Sequence, residues 1–202
     1  ITSMMLKKTY QTVILLPYLI SMVVVSYLVY AMLSSENGFV NLSILRPLGK
    51  QEISWYTESK YWPAILIIIY IWKTFGYNCI LYYATLVGID RGYYEAAVID
   101  GAGRFYQALY ITLPCILPTV TIMFILSVGG LVNAGFDQIF VLYNPTVLPV
   151  SDIIDTLVFR AGLQEAKHSY AAAAGLFKSV IGCALVLIAN RVAKAAGGES
   201  LF

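Results

Sequence analysis

Apolar residues run almost without interruption through four stretches of this chain. They are 11–33 (QTVILLPYLISMVVVSYLVYAML), 61–88 (YWPAILIIIYIWKTFGYNCILYYATLVG), 115–134 (CILPTVTIMFILSVGGLVNA) and 171–190 (AAAAGLFKSVIGCALVLIAN). A helix needs roughly 20 residues to cross the hydrocarbon of a bilayer, so each stretch is long enough to be a span. The pattern predicts an all-α fold, a polytopic transmembrane helical bundle with four spans. A soluble protein with four such runs would have too little polar surface left to face water. Four spans place residues 1–10, 89–114 and 191–202 on one side of the bilayer, and the loops 34–60 and 135–170 on the other.

Composition agrees with this reading. Hydrophobic residues make up 59% of the 202 positions and charged residues 12%, against about 25% charged in soluble domains. Mean hydropathy is +0.76. The net charge of +2 gives no basic excess of the kind that binds nucleic acid. The first side carries Lys7, Lys8, Arg91, Arg104, Arg191 and Lys194, and the second Arg46, Lys50, Lys60, Arg160 and Lys167. This small excess leans toward a cytoplasmic position for 89–114. Cys79, Cys115 and Cys183 fall in or at the edges of spans without the spacing of a disulfide framework or metal site, and read as packing residues. His168 lies in a polar loop. The chain begins at Ile1 and leads straight into a full-length span, so it reads as a fragment or processed form without a signal peptide.

The two loops on the second side differ. Residues 34–60 hold the turn-forming SSENGF and RPLGKQE. In 135–170, Ile153, Ile154, Leu157 and Val158 recur at helical spacing, which predicts a short amphipathic helix at the membrane surface. Ser151 is placed to cap it, with Asp152 and Asp155 at its positive end. An ordinary structured loop fits the same residues equally well.

The segment 95–114, EAAVIDGAGRFYQALYITLP, is semi-polar and rich in small residues, yet it sits between long apolar runs. Glu95, Ala96 and Ala97 favour a helix. Gly101 can end it in a left-handed conformation. Residues 104–113 then return as a second helical piece, and Pro114 and Pro118 stand where the next span begins. The result is a helix–turn–helix outside the bilayer. Its first helix has small Ala96, Ala97 and Ala102 at its surface and too little apolar area to be stable alone, so it suits docking into a groove on a partner.

This segment closely resembles the EAA loop of permease subunits of binding-protein-dependent type I ABC importers. Glu95, Ala96, Ala97, Asp100, Gly101 and Ala102 are followed at fixed spacing by Ile111, Leu113 and Pro114. The stretches IWKTFGYNCILYYATLVGIDRGYYEAA, LVNAGFDQIFVLYNP and SYAAAAGLF are similar to the oligosaccharide and polysaccharide branch, which includes alginate-type permeases. The resemblance covers residues 7–202. It implies two N-terminal spans beyond the four seen here, a bacterial inner (cytoplasmic) membrane location and a cytoplasmic EAA coupling loop at 89–114. It also implies two cytoplasmic ATP-binding subunits, a second homologous permease, an external solute-binding protein and a sugar or oligosaccharide substrate. ATP and Mg would be bound by the partner ATPase. In this chain GLFKS, at 175–179, ends like a P-loop but has Phe177 where glycine belongs.

A substrate path has candidate residues in two places. Lys73 lies near the middle of the second span, where a charge costs roughly 2.5–3.5 kcal/mol unless it meets protein or water. With Trp72, Tyr77 and Asn78 it could line a sugar path, or it could bond a carbonyl or carboxylate as structural glue. Lys178 carries the same ambiguity. Asn133, Phe136, Asp137 and Gln138 form a polar and aromatic cluster at the outer end of the third span, equally consistent with a plain helix terminus. An ATP-independent channel or secondary transporter would leave the EAA segment without a role. An intramembrane enzyme would need a metal cluster or a nucleophile–base pair that the spans do not supply.

Overall fold

In the computed structural model, residues 2–133 and 135–195 are described. Among them every regular element is helical, and three helices are long and apolar enough to cross a membrane, or four if one bent pair is a single span. The elements are α1 (Thr2–Leu19), α2 (Met22–Leu33), α3 (Trp62–Val87), α4 (Arg91–Ile99), α5 (Arg104–Gln107), α6 (Leu113–Gly130), α7 (Phe136–Leu142), α8 (Leu148–Ser151), α9 (Ile154–Phe159) and α10 (His168–Ala195). They group into two compact units, Ile1–Tyr77 with Gly135–Gly175, and Asn78–Ala134 with Leu176–Phe202. In the apolar 18-residue windows of the three long helices no more than 11% is buried within the chain, so their apolar faces require lipid or other membrane subunits.

The first expected span, 11–33, is not one straight helix. It breaks at Ile20–Ser21, and its two halves meet at 91°. Pro17 lacks an N–H, which removes one bond from the last turn of α1. Ser21 then restarts the chain as the N-cap of α2, its Oγ accepting from the Val24 N–H at 3.4 Å. A break at such a depth strands main-chain carbonyls, which must be satisfied by something else. Lys73 does this. Its ammonium donates to the carbonyls of Ile20, Tyr18 and Pro17 at 2.5, 3.3 and 3.4 Å.

Further along α3, Gly76 lets α1 approach to backbone contact. A Cβ there would sit 1.9 Å from the Ile14 carbonyl oxygen. One turn from Lys73, Tyr77 stacks on Tyr18, with ring centroids 4.7 Å apart. The core of this unit is Val25, Trp62, Ile65, Ile69, Leu142 and Val147. Loop 34–60 is pinned to it by polar knots. Asn41 is fully buried, donating to the Ile53 and Ser35 carbonyls at 2.9 and 3.2 Å and accepting from the Trp55 indole at 2.9 Å. The Tyr56 hydroxyl donates to the Leu142 carbonyl at 2.9 Å, and Asn144 donates to the Tyr56 carbonyl at 2.8 Å.

A short helix forms as α9, with Ile154 and Leu157 exposed, and Ser151 does not cap it. Ser151 is buried and closes α8 by donating to the Val147 carbonyl at 2.8 Å. The start of α9 is held instead by Thr156, whose Oγ1 accepts the Ile153 N–H at 3.0 Å. Asp152 receives the Arg160 guanidinium in a two-point pair at 3.0 and 2.5 Å, bridging the beginning and end of this helix. That pair fits the fork geometry of guanidinium and carboxylate better than a helix-dipole role does.

In the second unit, Ile125, Ala189 and Ala193 form the core with Val128 and Val186 packed around them. Gly129 permits this contact, since a Cβ there would lie 2.7 Å from Val186 Cγ2. Thr85 of α3 and Thr119 of α6 share a hydrogen bond of 3.2 Å.

Two outcomes follow from this packing. Gly76→Ala drives a methyl into the Ile14 carbonyl, which gives no flexible side chain to move aside. Overpacking of this sort costs about 1–3 kcal/mol, more than the roughly 1 kcal/mol that alanine gains in helix propensity. Gly182→Ala, whose Cβ would make an ordinary contact at 3.9 Å, is the control. Thermal unfolding of the detergent-solubilised protein should show a lower Tm for the first and an equal or higher Tm for the second.

The Arg160 hydrogen bonds hold the Asp152 carboxyl below its usual range, burial opposing them. A depressed folded-state value stabilises the fold above the ordinary carboxylate pKa, and this is lost as pH falls through the depressed value. Asp152 remains 35% exposed, which keeps the effect modest. Asp152→Asn should lower stability at neutral pH and flatten the acid side of the Tm–pH curve; parallel curves for the two proteins would contradict the pairing.

Candidate functional site: the α4–α5 corner

The helix–turn–helix expected near residues 89–114 is present in the second unit. It begins one turn earlier than the Glu95 start, with Asp90 as N-cap accepting the Gly92 N–H at 2.9 Å. Aspartate just before a helical run is a start signal that was available in the sequence. The helix closes in a Schellman arrangement: Ala102 N–H donates to the Ala97 carbonyl at 2.8 Å and Gly101 N–H to the Val98 carbonyl at 3.0 Å. Gly101 has φ +77°, a left-handed value that favours glycine. Asp100 is the C-cap, its N–H still donating to the Ala96 carbonyl at 3.0 Å.

Gly103 then opens α5, and helical structure continues through a widened turn over 108–112 into α6. The widened turn ends at Thr112, two residues before Pro114. In an unbroken α-helix its ring would press on the carbonyl four residues back and its missing N–H would leave a gap, and a wide turn accommodates both. Gln107 braces the corner by donating to the Ala102 carbonyl at 2.9 Å.

The corner encloses an open cleft of about 410 Å³, lined by Ala97, Asp100, Gly101, Tyr106, Tyr110 and neighbours. Glu95, Ala96, Asp100 and Gly101 are exposed, whereas Ala97 and Ala102 are half-buried and line the inner side. No residue of α4 is buried. Ile99 and Phe105, on either side of the turn, are 86% and 76% exposed. A helix with no core of its own and apolar side chains at its tip offers a docking surface.

The other candidate residues do not gather at one place. Trp72 is exposed on α3, while Lys73 and Tyr77 turn toward α1 as described. Asn78 follows Tyr77 but belongs to the second unit, as does Asn133 at the end of a short turn after α6. Phe136 begins α7 in the first unit and stacks on Phe140 at 5.2 Å, with Phe159 tilted against Phe136 and edge-on to Phe140. Asp137 is exposed in the first turn of α7, and Gln138 donates to the Leu66 carbonyl at 2.7 Å, fastening α7 to α3. Lys178 on α10 has an interaction of its own. Sequence reasoning missed Tyr94 and Thr112, whose hydroxyls meet at 2.9 Å; no local signal joins residues so far apart in the chain.

Comparison with known proteins places this geometry in a family. Residues 3–196 match the model of the "Binding-protein-dependent transport system inner membrane component". Protein LplB of Bacillus subtilis is 37% identical over 196 residues, 97% of this chain and 61% of that protein. The polygalacturonan/rhamnogalacturonan transport system permease protein YteP of the same organism is 36% identical over the same shares. This chain thus spans about 61% of the length of these relatives. A crystal structure of a bacterial alginate ABC transporter, in complex with alginate pentasaccharide-bound periplasmic protein, superposes with a TM-score of 0.88 at 36% identity, over 96% of this chain and 67% of the other. Helical spans, corner and sequence together make this chain a member of the inner-membrane component family of binding-protein-dependent transport systems.

Proposed function

We propose that this chain acts as a membrane-spanning permease subunit of an ATP-driven importer of a sugar or oligosaccharide. The substrate is delivered by an external binding protein, and a second, homologous permease completes the path. The observation that carries the reading is the α4–α5 corner, which exposes the EAA segment on a helix with no buried residue of its own. In this reading 89–114 lies in the cytoplasm, and α4 seats in a groove of one of two ATP-binding subunits, which hold ATP and Mg. Residues 135–170 lie on the outer side. Closure of the ATPase pair displaces α4, and the displacement rocks the permease halves between inward- and outward-open forms. Glu95, Ala96, Ala97, Asp100, Gly101 and Ala102 serve coupling and not substrate recognition. The similarity to a polysaccharide permease and to an alginate transporter supports a carbohydrate substrate.

Trp72, Tyr77, Phe136 and Asp137 of the first unit, and separately Asn78 and Asn133 of the second, are proposed as substrate-contacting residues, with Gln138 holding α7 in place. Lys73 is assigned to the break between α1 and α2, because its ammonium already has three carbonyl partners. Lys73→Met leaves those carbonyls unsatisfied, at about 1–3 kcal/mol for a buried polar group. Expression and Tm should fall, while the apparent KM for sugar in whatever complex assembles stays unchanged. A raised KM with intact assembly would return Lys73 to the substrate path.

Gly101 tests the coupling role. A Cβ at this position meets nothing within 4 Å, so substitution acts through backbone conformation and not through a clash. A β-branched residue resists the left-handed region by about 1–2 kcal/mol or more. In the complex copurified with its ATPase, Gly101→Val should insert into the membrane normally yet lose at least about tenfold of uptake and of substrate-stimulated ATP hydrolysis. Unchanged uptake and stimulation would refute the coupling role, and a wild-type chain that transports without any ATPase would favour a channel or secondary transporter.

A further inference from the structure

The connectors at the two ends of α4 are short and contain glycine: Gly88 lies between α3 and α4, and Gly101 and Gly103 lie between α4 and α5. Hydrogen bonds close both ends of α4, but a glycine has no side chain with which to fix the angle between α4 and the elements on either side. A side-chain link supplies that constraint. The half-buried Tyr94, on the inner side of α4, places its hydroxyl 2.9 Å from Thr112 Oγ1. Thr112 Oγ1 also lies 3.4 Å from the Gln107 carbonyl, and either hydroxyl can donate in the shorter bond. Gln107 in turn reaches back to the Ala102 carbonyl at 2.9 Å. Thr112 is the last residue of the widened turn, and the next N–H, of Leu113, closes that turn on the Ala108 carbonyl. The phenol therefore grips the segment where helical geometry changes and the spanning helix starts.

We propose that Tyr94 is a positioning residue of the coupling step. Its bond to Thr112 holds α4 at a fixed offset from the widened turn, so that displacement of α4 reaches the head of α6 without relying on the glycine connectors. This rests on the coupling role of the α4–α5 corner. Neither residue belongs to the exposed EAA surface, so removing the bond leaves the docking face intact.

The test uses the complete transporter with its ATPase, second permease and binding protein, reconstituted in liposomes, with sugar uptake and ATP hydrolysis measured together. Tyr94→Phe and Thr112→Val each delete the bond with little change of shape, and Thr112→Ser retains it. Subunit stoichiometry and ATP turnover should stay near wild type in all variants. Sugar moved per ATP should fall about fivefold or more in Tyr94→Phe and in Thr112→Val, no further in the double variant, and remain near wild type in Thr112→Ser. Sugar moved per ATP within twofold of wild type in both single variants would overturn the proposal, as would single losses that multiply in the double variant. Loss of ATPase subunits in parallel with uptake would also overturn it, by showing a bond that only holds the fold together. ATP-independent uptake by the wild-type complex would refute the coupling role of the corner itself; ATP-dependent wild-type uptake with an unaffected Tyr94→Phe would refute the Tyr94 assignment alone.

Discussion

Main-chain polar groups have no water to turn to in the hydrocarbon of a bilayer, and each interruption of a helix must be satisfied from within the protein. Much of this structure is arranged around that constraint. The break between α1 and α2 is tenable because an ammonium from α3 gathers three of the freed carbonyls. Lys73 and the break solve each other's difficulty: a charge at this depth is costly without partners, and the carbonyls are costly without donors. Gly76 and the Tyr18–Tyr77 stack then set how closely α1 lies on α3.

The same logic recurs at the other irregular points with different chemistry. Before Pro114 the helix widens by a turn instead of breaking, which preserves bonding around a residue without an N–H. At Gly101 the helix stops outright, and the backbone caps itself in a Schellman closure. In loop 34–60, Asn41 uses both ends of its amide to hold three neighbours, so a polar loop becomes a fixed surface. Each device satisfies backbone polar groups at an irregular point of the chain.

Function follows from where rigidity and exposure coincide. The α4–α5 corner is well ordered by its own hydrogen bonds, yet its tip carries exposed Ile99 and Phe105 and its outer face carries Glu95, Ala96 and Asp100. A corner held internally can receive a partner without paying to order itself first. The spans present the opposite case, with apolar faces that the chain leaves uncovered and that suit lipid and neighbouring subunits.

How much of this was legible in advance depends on the range of the interaction. The helical class, α3 and α10, the turn at Gly101 and the EAA segment were readable because hydrophobic run length, glycine conformational freedom and motif spacing are properties of neighbouring residues. The short helix at Ile154–Phe159 was readable from its period, but its cap was not: Ser151 looked suitable, yet it bonds Val147 at the end of α8, and Thr156 holds the start of α9. Pro17 is visible in the sequence, but a 91° elbow is not, since proline in a span can leave a mild kink or a full break. What settled it was the approach of Lys73, more than fifty residues away in the chain. Likewise the bond between Tyr94 and Thr112 exists only because the chain turns after α4 and brings residue 112 back beside that helix. By itself the sequence determined which segments are helical, which are apolar enough to enter a membrane and which motif the connecting loop carries. Tertiary structure decided where the helices bend and which polar side chains are spent on holding those bends, because a donor finds its acceptor only after distant segments have packed.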